Sequence, residues 1–211
     1  MSGLPFALRV LSLYAQGTFP MAQSRDDGDL HVIDPKVRGI LPLDGFHISR
    51  SLARRLRRGE FTATTDTAFE EVVTLCADRD ETWINGTLRE VYTTAHRLGR
   101  AHSVEVWKEG RLVGGSFGIS QGGAFFAESM FSRSTDASKA ALAWLTARLA
   151  SRGYALCDTQ FLTPHLLSLG GIEITRTDFR ARLADALSLD VTFGPAGPLC
   201  ASQSLLPPPA P

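Results

Sequence analysis

Two polar side chains stand close together in an otherwise apolar segment, where they could bind and orient a reactant. Asp158 and Gln160 are two residues apart in YALCDTQF, residues 154–161, so a β-strand would place both on one face. A carboxylate can accept a proton, and a neighbouring amide can hold a polar group in place. For Asp158 alone, a buried structural hydrogen bond explains the sequence equally well, so both interpretations stay open.

A second carboxylate ends another predicted strand. Glu128 lies in AFFAESMF, residues 124–131, and a regular strand would turn Phe125 and Glu128 to opposite faces. Glu128 is therefore either an exposed strand residue or a carboxylate that faces a cleft.

A basic segment is the next candidate site. Residues 36–58 carry seven Lys or Arg and one Asp, and five of these bases form a short run: Arg50, Arg54, Arg55, Arg57 and Arg58. Such a concentration is typical of surfaces that bind a phosphate backbone. A solvated helix face is the alternative, since most charge runs are solvated faces.

The whole chain has no net charge, with 22 Lys plus Arg against 22 Asp plus Glu in 211 residues. This excludes a uniformly basic coat protein and a polyacidic tail, but it does not exclude local patches. By segment the charge is −2 over residues 1–35, +6 over 36–58 and −4 over the remainder. The neutral total therefore hides two regions of opposite sign.

The cysteines offer little chemistry. Cys76, Cys157 and Cys200 have no CxxC spacing that would indicate a zinc site. We expect reduced, mostly buried thiols and no metal. A nucleophilic Cys157 is the less favoured alternative, because no histidine is adjacent to activate it.

Strands and helices that would position these residues are visible in the hydrophobic periodicity. Alternation in HSVEVW, LVGGSFGIS and AFFAESMF, with short turns at 108–110 and 121–123, predicts an antiparallel meander. A helix capped by Asp136 and ended by Gly153 should follow, and then the strand that carries Asp158. The order β-β-β-α-β-α predicts a mixed sheet of the α+β class.

Other helix boundaries follow from capping residues. The pattern predicts a helix over 5–16 and N-caps at the hydroxyl residues Ser49, Thr67, Thr87, Thr163 and Thr177. The composition of QSLLPPPAP predicts a disordered tail, which we take as residues 191–211. No apolar stretch is long enough to span a bilayer and no signal peptide is evident, so we expect a cytoplasmic protein.

Several motifs together resemble a known family. The most specific is ESMFSRSTDASK, at 128–139. Others in the expected order are FP (19–20), HISRSL (47–52), ETW (81–83), HSVEVW (102–107), LVGG (112–115), CDTQ (157–160) and TPHLLSLG (163–170). Over residues 5–183 the chain resembles the bacterial leucyl/phenylalanyl-tRNA-protein transferases. It differs at Met21, where an aromatic is usual, and at residues 30–32, where tryptophan or tyrosine is frequent.

The resemblance implies a small, basic, tRNA-facing N-terminal lobe at residues 1–60 and a GNAT-like acyltransferase domain at 61–190. It implies transfer of Leu, Phe or Met from aminoacyl-tRNA to the α-amine of proteins with an N-terminal Arg or Lys, which marks them for the N-end rule pathway. It implies no cofactor, no membrane and a monomer.

The resemblance also implies roles for individual residues. Asp158 and Gln160 correspond to the catalytic pair, and Glu128 corresponds to a carboxylate in the substrate pocket. The remaining substrate-binding positions are Trp83, Phe125, Ser129, Leu142 and Leu145, and the arginines of 50–58 would face tRNA.

Two functions of other classes remain as alternatives. An acetyl-CoA acetyltransferase needs a glycine-rich turn whose N–H groups cradle pyrophosphate. The corresponding turn here, SRSTDASK, has no glycine and carries the carboxylate of Asp136. A non-catalytic RNA-binding module would account for the arginines but would leave Glu128, Asp158 and Gln160 without a purpose.

Overall fold

The computed structural model describes residues 3–199. Its helices are α1 (Leu4–Ala15), α2 (Arg50–Arg57), α3 (Phe69–Ala77), α4 (Gly86–Arg97), α5 (Ala137–Ser151), α6 (Pro164–Leu167) and α7 (Arg176–Leu187). Its strands are β1 (Phe19–Met21), β2 (His31–Ile33), β3 (Val37–Ile40), β4 (Thr62–Thr65), β5 (Ala101–Lys108), β6 (Arg111–Gln121), β7 (Ala124–Ser132), β8 (Leu156–Gln160), β9 (Ile172–Thr175) and β10 (Gly197–Leu199).

One large mixed sheet organises the chain, with strand order β10-β4-β5-β6-β7-β8-β3-β9. Strands β7 and β8 pair in parallel, and the other neighbours in this sheet pair antiparallel. The predicted α+β class and the meander β5-β6-β7 are therefore confirmed. None of the helices within residues 3–199 is long and apolar enough to cross a membrane.

The expected N-terminal lobe does not form a separate unit of the sheet. Only β1 and β2 make a small sheet of their own, whereas β3 lies between β8 and β9 in the large one. Gly39 pairs with Gln160, and Ile40 pairs with Asp158. Strand β3 satisfies its backbone hydrogen bonds on β8 and β9, from the far end of the chain, and the domain boundary at residue 60 stays a prediction.

The helices cover both faces of the sheet. Apolar residues of α1, α3, α4 and α7 form one core, and those of α2, α5 and α6 form the other. Strand β7 shows the alternation that this requires, because Phe126 belongs to the first core and Phe125 to the second. Burying such a side chain stabilises the fold by roughly 2 kcal/mol.

The capping predictions were correct where the cap directly precedes an apolar turn. Ser49 accepts from the backbone N–H of Leu52 at 3.3 Å, and Thr163 accepts from that of Leu166 at 3.2 Å. Asp136 stands at the N-cap of α5 with φ of 68°, but its side chain makes no capping bond.

Three capping predictions were wrong. Helix α4 is capped by Asn85 and not by Thr87, and α7 is capped by Thr175 and not by Thr177. Ala68 precedes α3 without a side-chain cap, because the hydroxyl of Thr67 donates to Glu105 at 2.9 Å. Thr67 therefore binds a tertiary partner instead of capping α3. Thr87 and Thr177 are replaced as caps by an amide and a hydroxyl two residues earlier in the chain.

The first residues of the predicted tail, 191–199, have a defined structure. Phe193 is buried, and its ring stacks on His102 at 4.4 Å and on Phe125 at 5.6 Å. Strand β10 then pairs with β4 at the edge of the sheet. Residues 191–199 are therefore part of the fold, and residues 200–211 lie outside the described part of the chain.

Candidate active site

The site forms where two parallel strands separate. Strands β7 and β8 pair over Ala124–Leu156, Phe125–Cys157 and Phe126–Asp158. Beyond these pairs β8 ends at 160 while β7 continues to 132. The pairing of β6 with β7 also shifts here, since Phe117 faces Ser129 and Gly118 faces Ala127.

Glu128 is the extra residue of the resulting β-bulge. A bulge bends its strand and re-aims its side chains, and this one lies at the point where β7 leaves β8. The sequence could not decide between an exposed and a cleft-facing Glu128. In the structure its side chain lies on the wall of a cleft and is 9% exposed.

A cavity of about 230 Å³ occupies the gap between the two strands. Its apolar wall consists of Phe19, Met21, Trp83, Ala127, Met130, Leu142, Phe161 and Leu166. Its polar wall consists of Arg79, Ser116, Glu128, Ser129, Thr159, Gln160 and Thr163. The cavity therefore combines room for an apolar group with a small set of hydrogen-bonding groups, which is the usual composition of a ligand site.

Glu128 has an environment that favours its neutral form. Burial raises the pKa of its carboxyl to about 7, although the hydrogen bond from Tyr92 and the charge of Arg38 act in the opposite direction. The hydroxyl of Tyr92 donates to Oε2 at 2.7 Å. A carboxyl whose pKa lies near neutral pH can both take up and release a proton during a reaction.

Gln160 ends β8 in a left-handed backbone conformation, with φ of 59°. In one orientation of the side-chain amide, its nitrogen lies 3.5 Å from Oε1 of Glu128, which is the longest distance accepted for a hydrogen bond. With the amide turned, the nitrogen donates to the carbonyls of Thr159 at 2.9 Å and Ala127 at 3.0 Å. We assign this second orientation because both of its bonds have ordinary lengths. The amide oxygen then faces Glu128.

Asp158 is not among the residues that line the cavity. Its carboxylate is fully buried, and Arg38 donates to Oδ1 at 2.8 Å and to Oδ2 at 2.7 Å. The backbone N–H of Gln160 also donates to Oδ1, at 3.0 Å. Burial raises the pKa of Asp158, and the bonds from Arg38 counteract this rise.

Arg38 is a site residue that sequence reasoning missed, because it was counted with the basic segment. It is 1% exposed, donates to the carbonyl of Gly17 at 2.9 Å and lies between the rings of Phe19 and Phe179, 4.7 and 4.3 Å from their centroids. One sign was available in the sequence, since Arg38 is the only charged residue in the short segment VRGIL.

The predicted substrate residues divide into two groups. Trp83, Glu128, Ser129 and Leu142 line the cavity, together with Gln160 of the predicted catalytic pair. Phe125 and Leu145 do not line it. Both are packed in the core between the sheet and α5, so they lie behind its wall.

Several lining residues were not proposed as site residues from the sequence. The most informative is Thr159, whose hydroxyl is buried on the wall and has no hydrogen-bond partner within residues 3–199. This oxygen is buried against Gly39 of β3, so Thr159 lines the cavity with the rest of its side chain. Arg79 and Phe161 also line the cavity and gave no distinctive signal in the sequence.

The predicted basic surface contains four of the five arginines that the sequence places between residues 50 and 58. Arg50, Arg54, Arg57 and Arg58 are exposed on or beside α2. Arg55 is instead held by Glu60 at 2.9 Å and by Asp136 at 3.3 Å.

The buried thiols do not suggest a nucleophile. Burial raises the pKa of Cys76 to about 12 and that of Cys157 further still. A thiol with a raised pKa is inert at neutral pH. Cys200 lies outside the described residues.

Comparison with known proteins identifies the family. The model of the leucyl/phenylalanyl-tRNA protein transferases matches residues 40–184, which include the cavity walls contributed by β6, β7, β8 and α5. The chain belongs to this family. Proteins named leucyl/phenylalanyl-tRNA–protein transferase include one from Cereibacter sphaeroides that is 58% identical over 89% of this chain and 88% of its own length.

Other transferases of the family are equally similar. One from a Ruegeria species is 61% identical over 84% of this chain and 85% of its own length, and one from Paracoccus denitrificans is 51% identical over 92% and 91%. Among solved structures, that of L-PGS from Bacillus licheniformis is 15% identical, with a TM-score of 0.41 over 76% of this chain and 55% of that chain.

Proposed function

We propose that this chain transfers leucine, phenylalanine or methionine from aminoacyl-tRNA to the α-amine of proteins that begin with Arg or Lys. Membership of the transferase family supports the reaction class and the tRNA substrate. The observation that carries the proposal is the cavity at the separation of β7 and β8, where an apolar wall faces Glu128 and Gln160. The mixed sheet with helices on both faces supports a GNAT-like assignment of the fold.

The apolar wall suits the side chain of the transferred amino acid. Trp83, Leu142 and Leu166 offer aromatic and aliphatic contacts without a fixed hydrogen-bond pattern. Such a wall separates side chains by shape, and one methylene changes the discrimination by only about 1–3 kcal/mol. Partial selectivity among Leu, Met and Phe therefore follows. Met21 belongs to this wall, and residues 30–32 precede or begin β2, the strand that pairs with it; these are the positions at which the chain departs from the aromatic residues implied by the resemblance.

The polar wall suits the reacting amine. An α-amine has a pKa near 8, so its deprotonation at pH 7 requires only about 1.4 kcal/mol. Glu128, with a pKa of about 7, accepts this proton, and the amide oxygen of Gln160 accepts a hydrogen bond from the amine. The amine nitrogen attacks the ester carbonyl, the bond to the ribose oxygen breaks, and that oxygen takes up the proton held by Glu128. The nitrogen of the new amide releases its remaining extra proton to water. The ester is already activated, so no cofactor is required.

Asp158 acts indirectly in this scheme. Its carboxylate is bound by Arg38 and by the backbone N–H of Gln160, and it does not reach the cavity. We therefore assign Asp158 the task of holding Gln160 in its left-handed conformation. This replaces the direct catalytic role that the resemblance implied for Asp158.

An acid-rich surface beside the cavity supports a cationic acceptor. The loop after Met21 carries Asp26 and Asp29, and the segment before Trp83 carries Asp80 and Glu81, and all four acids are exposed. Arg25 joins the two segments through the carbonyls of residues 77 and 79. An N-terminal Arg or Lys brings two positive charges, so these carboxylates would draw it toward Glu128.

The exposed arginines of α2 suit the tRNA backbone. Arg50, Arg54, Arg57 and Arg58 point away from the apolar side of this helix, which buries Leu52, Ala53 and Leu56. We propose that this face supplies the salt-dependent part of tRNA affinity. The protein would act in the cytoplasm as a monomer, and its products would enter the N-end rule pathway.

The decisive experiment compares two acyl donors. The purified protein is incubated with radiolabelled Leu-tRNA or with acetyl-CoA, and with a peptide that begins with Arg. We expect label on the peptide from Leu-tRNA only, and none when the peptide is N-acetylated. Transfer from acetyl-CoA alone would replace the proposal with an acetyltransferase, and tight tRNA binding without any transfer would favour an RNA-binding module.

A further inference from the structure

A second cavity adjoins the first and is not used by the reaction described above. It has a volume of about 320 Å³, and it shares Arg79 and Met130 with the first cavity. Its remaining walls are Leu75, Asp78, Phe131, Ser132, Arg133, Ser138 and His165. Thr163 and Leu166, on either side of His165, line the first cavity. The two cavities are therefore successive chambers of one cleft.

The second cavity is rich in cationic and donor groups. Arg79 and Arg133 bring guanidinium groups to its walls, and His165 brings a ring whose pKa is lowered by burial and by the nearby charge of Lys139. It lies at the start of α5, where the N–H of Ser138 donates to Oγ of Ser132 at 3.2 Å. The N-cap of this helix carries the carboxylate of Asp136, which pairs with Arg55 and Lys139, so the attraction for an anion comes from the guanidinium groups and not from the helix end.

Asp78 is the one acid on this wall. Its carboxylate lies 3.1 Å from Arg133, and both side chains are more than half exposed. An ion pair between two such exposed side chains contributes little to stability. A doubly hydrogen-bonded oxyanion can therefore compete with Asp78 for the guanidinium of Arg133.

We propose that this second cavity binds the phosphate on the 5′ side of the terminal nucleotide of the acyl donor. The inference rests on the proposed function, in which the amino acid enters the first cavity and its ester lies at the ribose. That phosphate is separated from the ester by a single ribose. The adjoining chamber, which begins at the shared Arg79, is therefore where it would fall. Arginine forks match phosphate oxygens in geometry as well as in charge.

The assignment gives Arg79 and Arg133 a different task from the arginines of α2. Those would contact the tRNA body and set the overall affinity. The second cavity would instead align the acylated end, so that the ester carbonyl comes next to Glu128 and Gln160. Its contribution should therefore be measurable with a donor that consists of one nucleotide.

The test uses two stable analogues of the donor end. One is 3′-leucylamido-3′-deoxyadenosine, and the other is the same compound with a 5′-phosphate methyl ester, which mimics the diester. Calorimetric titration measures the dissociation constants of both at low salt. We expect the phosphate to strengthen binding to the native protein about tenfold. Arg133→Gln should reduce this gain to about twofold or less and leave the affinity for the unphosphorylated compound unchanged.

Two further variants control for fold and for general charge. Arg97→Gln removes an exposed arginine of α4 that pairs with Glu70 at 3.6 Å and does not line the second cavity. This variant should retain the full gain in affinity from the phosphate. Asp78→Asn removes the competing carboxylate, and it should increase the gain.

The possible outcomes separate this inference from the function on which it rests. An equal gain in the native protein and in Arg133→Gln would overturn the phosphate site, as would the absence of any gain, while binding of the unphosphorylated compound would leave the proposed function intact. If neither analogue binds and Leu-tRNA is not a donor, the proposed function fails and this inference fails with it.

Discussion

Arg38 and Asp158 form a two-bond ion pair in the protein interior, although they are 120 residues apart in the chain. Their side chains are 2% and 0% exposed. Because the pair joins β3 to β8 directly behind Gln160, it connects the N-terminal segment to the candidate active site. The pair also explains why Asp158, although it is an ionisable residue, has a structural role: its carboxylate binds Arg38 and the backbone of Gln160 and does not line the cavity.

Breaking this pair should strongly destabilise the fold. Removing one partner leaves an uncompensated buried charge, so we expect Arg38→Met to lower the free energy of unfolding by about 3–5 kcal/mol. The double variant Arg38→Met/Asp158→Leu should recover much of the loss. Urea denaturation measures both effects. The matched control is Arg180→Met, which breaks a half-exposed pair with Asp34 and should change stability by less than about 1 kcal/mol. Equal effects of Arg38→Met and the control would contradict the assignment.

Gln160 should affect turnover more than tRNA affinity. Gln160→Ala removes the amide that orients the amine, and we expect turnover to fall about 100-fold, as for other orienting polar groups in active sites. Gln160→Gly should lose as much activity but be more stable than the alanine variant by about 1 kcal/mol, because glycine adopts the left-handed conformation without strain. Steady-state transfer assays and filter binding of tRNA measure the two quantities.

The control for Gln160 is Gln121→Ala at the end of β6, whose amide binds the carbonyl of Leu11. Native turnover in Gln160→Ala would remove this residue from the mechanism.

Glu128 should determine the acidic limb of the profile of kcat against pH. If its carboxylate takes the proton of the amine, kcat rises with pH through about 7 in the native protein. Glu128→Gln should lose this limb and about 100-fold in turnover. Tyr92→Phe removes the hydrogen bond that favours the ionised form, so its limb should move to higher pH. An unmoved limb in Tyr92→Phe would assign the titration to the substrate amine alone.

The carboxyl of Glu128 should also make the free energy of unfolding depend on pH. Its pKa lies above the ordinary value of 4.5 and reaches about 7 in the folded protein, so the folded state binds the proton more tightly between these values. The free energy of unfolding should therefore fall as pH rises through this window, by about 3 kcal/mol in all. Because Glu128→Gln does not titrate, its stability relative to the native protein should increase by that amount between pH 4 and pH 8. Denaturation of both proteins across this range provides the comparison.

The exposed arginines of α2 should determine the salt dependence of tRNA binding. Each phosphate contact contributes roughly one unit to the slope of log affinity against log salt. Arg54→Glu and Arg58→Glu should each weaken binding and reduce the slope by about one. Arg97→Glu on α4 carries the same charge change away from this surface and serves as the control. An unchanged slope in the α2 variants would leave that helix as a solvated face.

Local patterns in the sequence were sufficient for much of the fold. The alternation in 102–131 defined the meander, and the hydroxyls of Ser49 and Thr163 defined two helix starts. These features depend on residues within a few positions of one another, so one sequence is enough to reveal them. The motif around Glu128 likewise carries the resemblance to the transferase family.

Capping hydroxyls show where such local reasoning ends. Thr67 was a plausible cap, but its hydroxyl binds Glu105 in the folded chain. Thr87 and Thr177 were replaced by Asn85 and Thr175, which the sequence offered as equally plausible caps. The predicted basic segment shows the same effect, because charge alone does not reveal that Arg38 is buried while Arg54 is exposed.

The active site itself was decided by tertiary structure. The sequence by itself determined the transferase family, the α+β class and the presence of Glu128, Asp158 and Gln160. Only the fold decided that β3 pairs with β8, that a bulge turns Glu128 into the cavity, and that Arg38 neutralises Asp158. The physical reason is that burial and pairing depend on residues of other strands, up to 120 positions away in the chain, which no local pattern records.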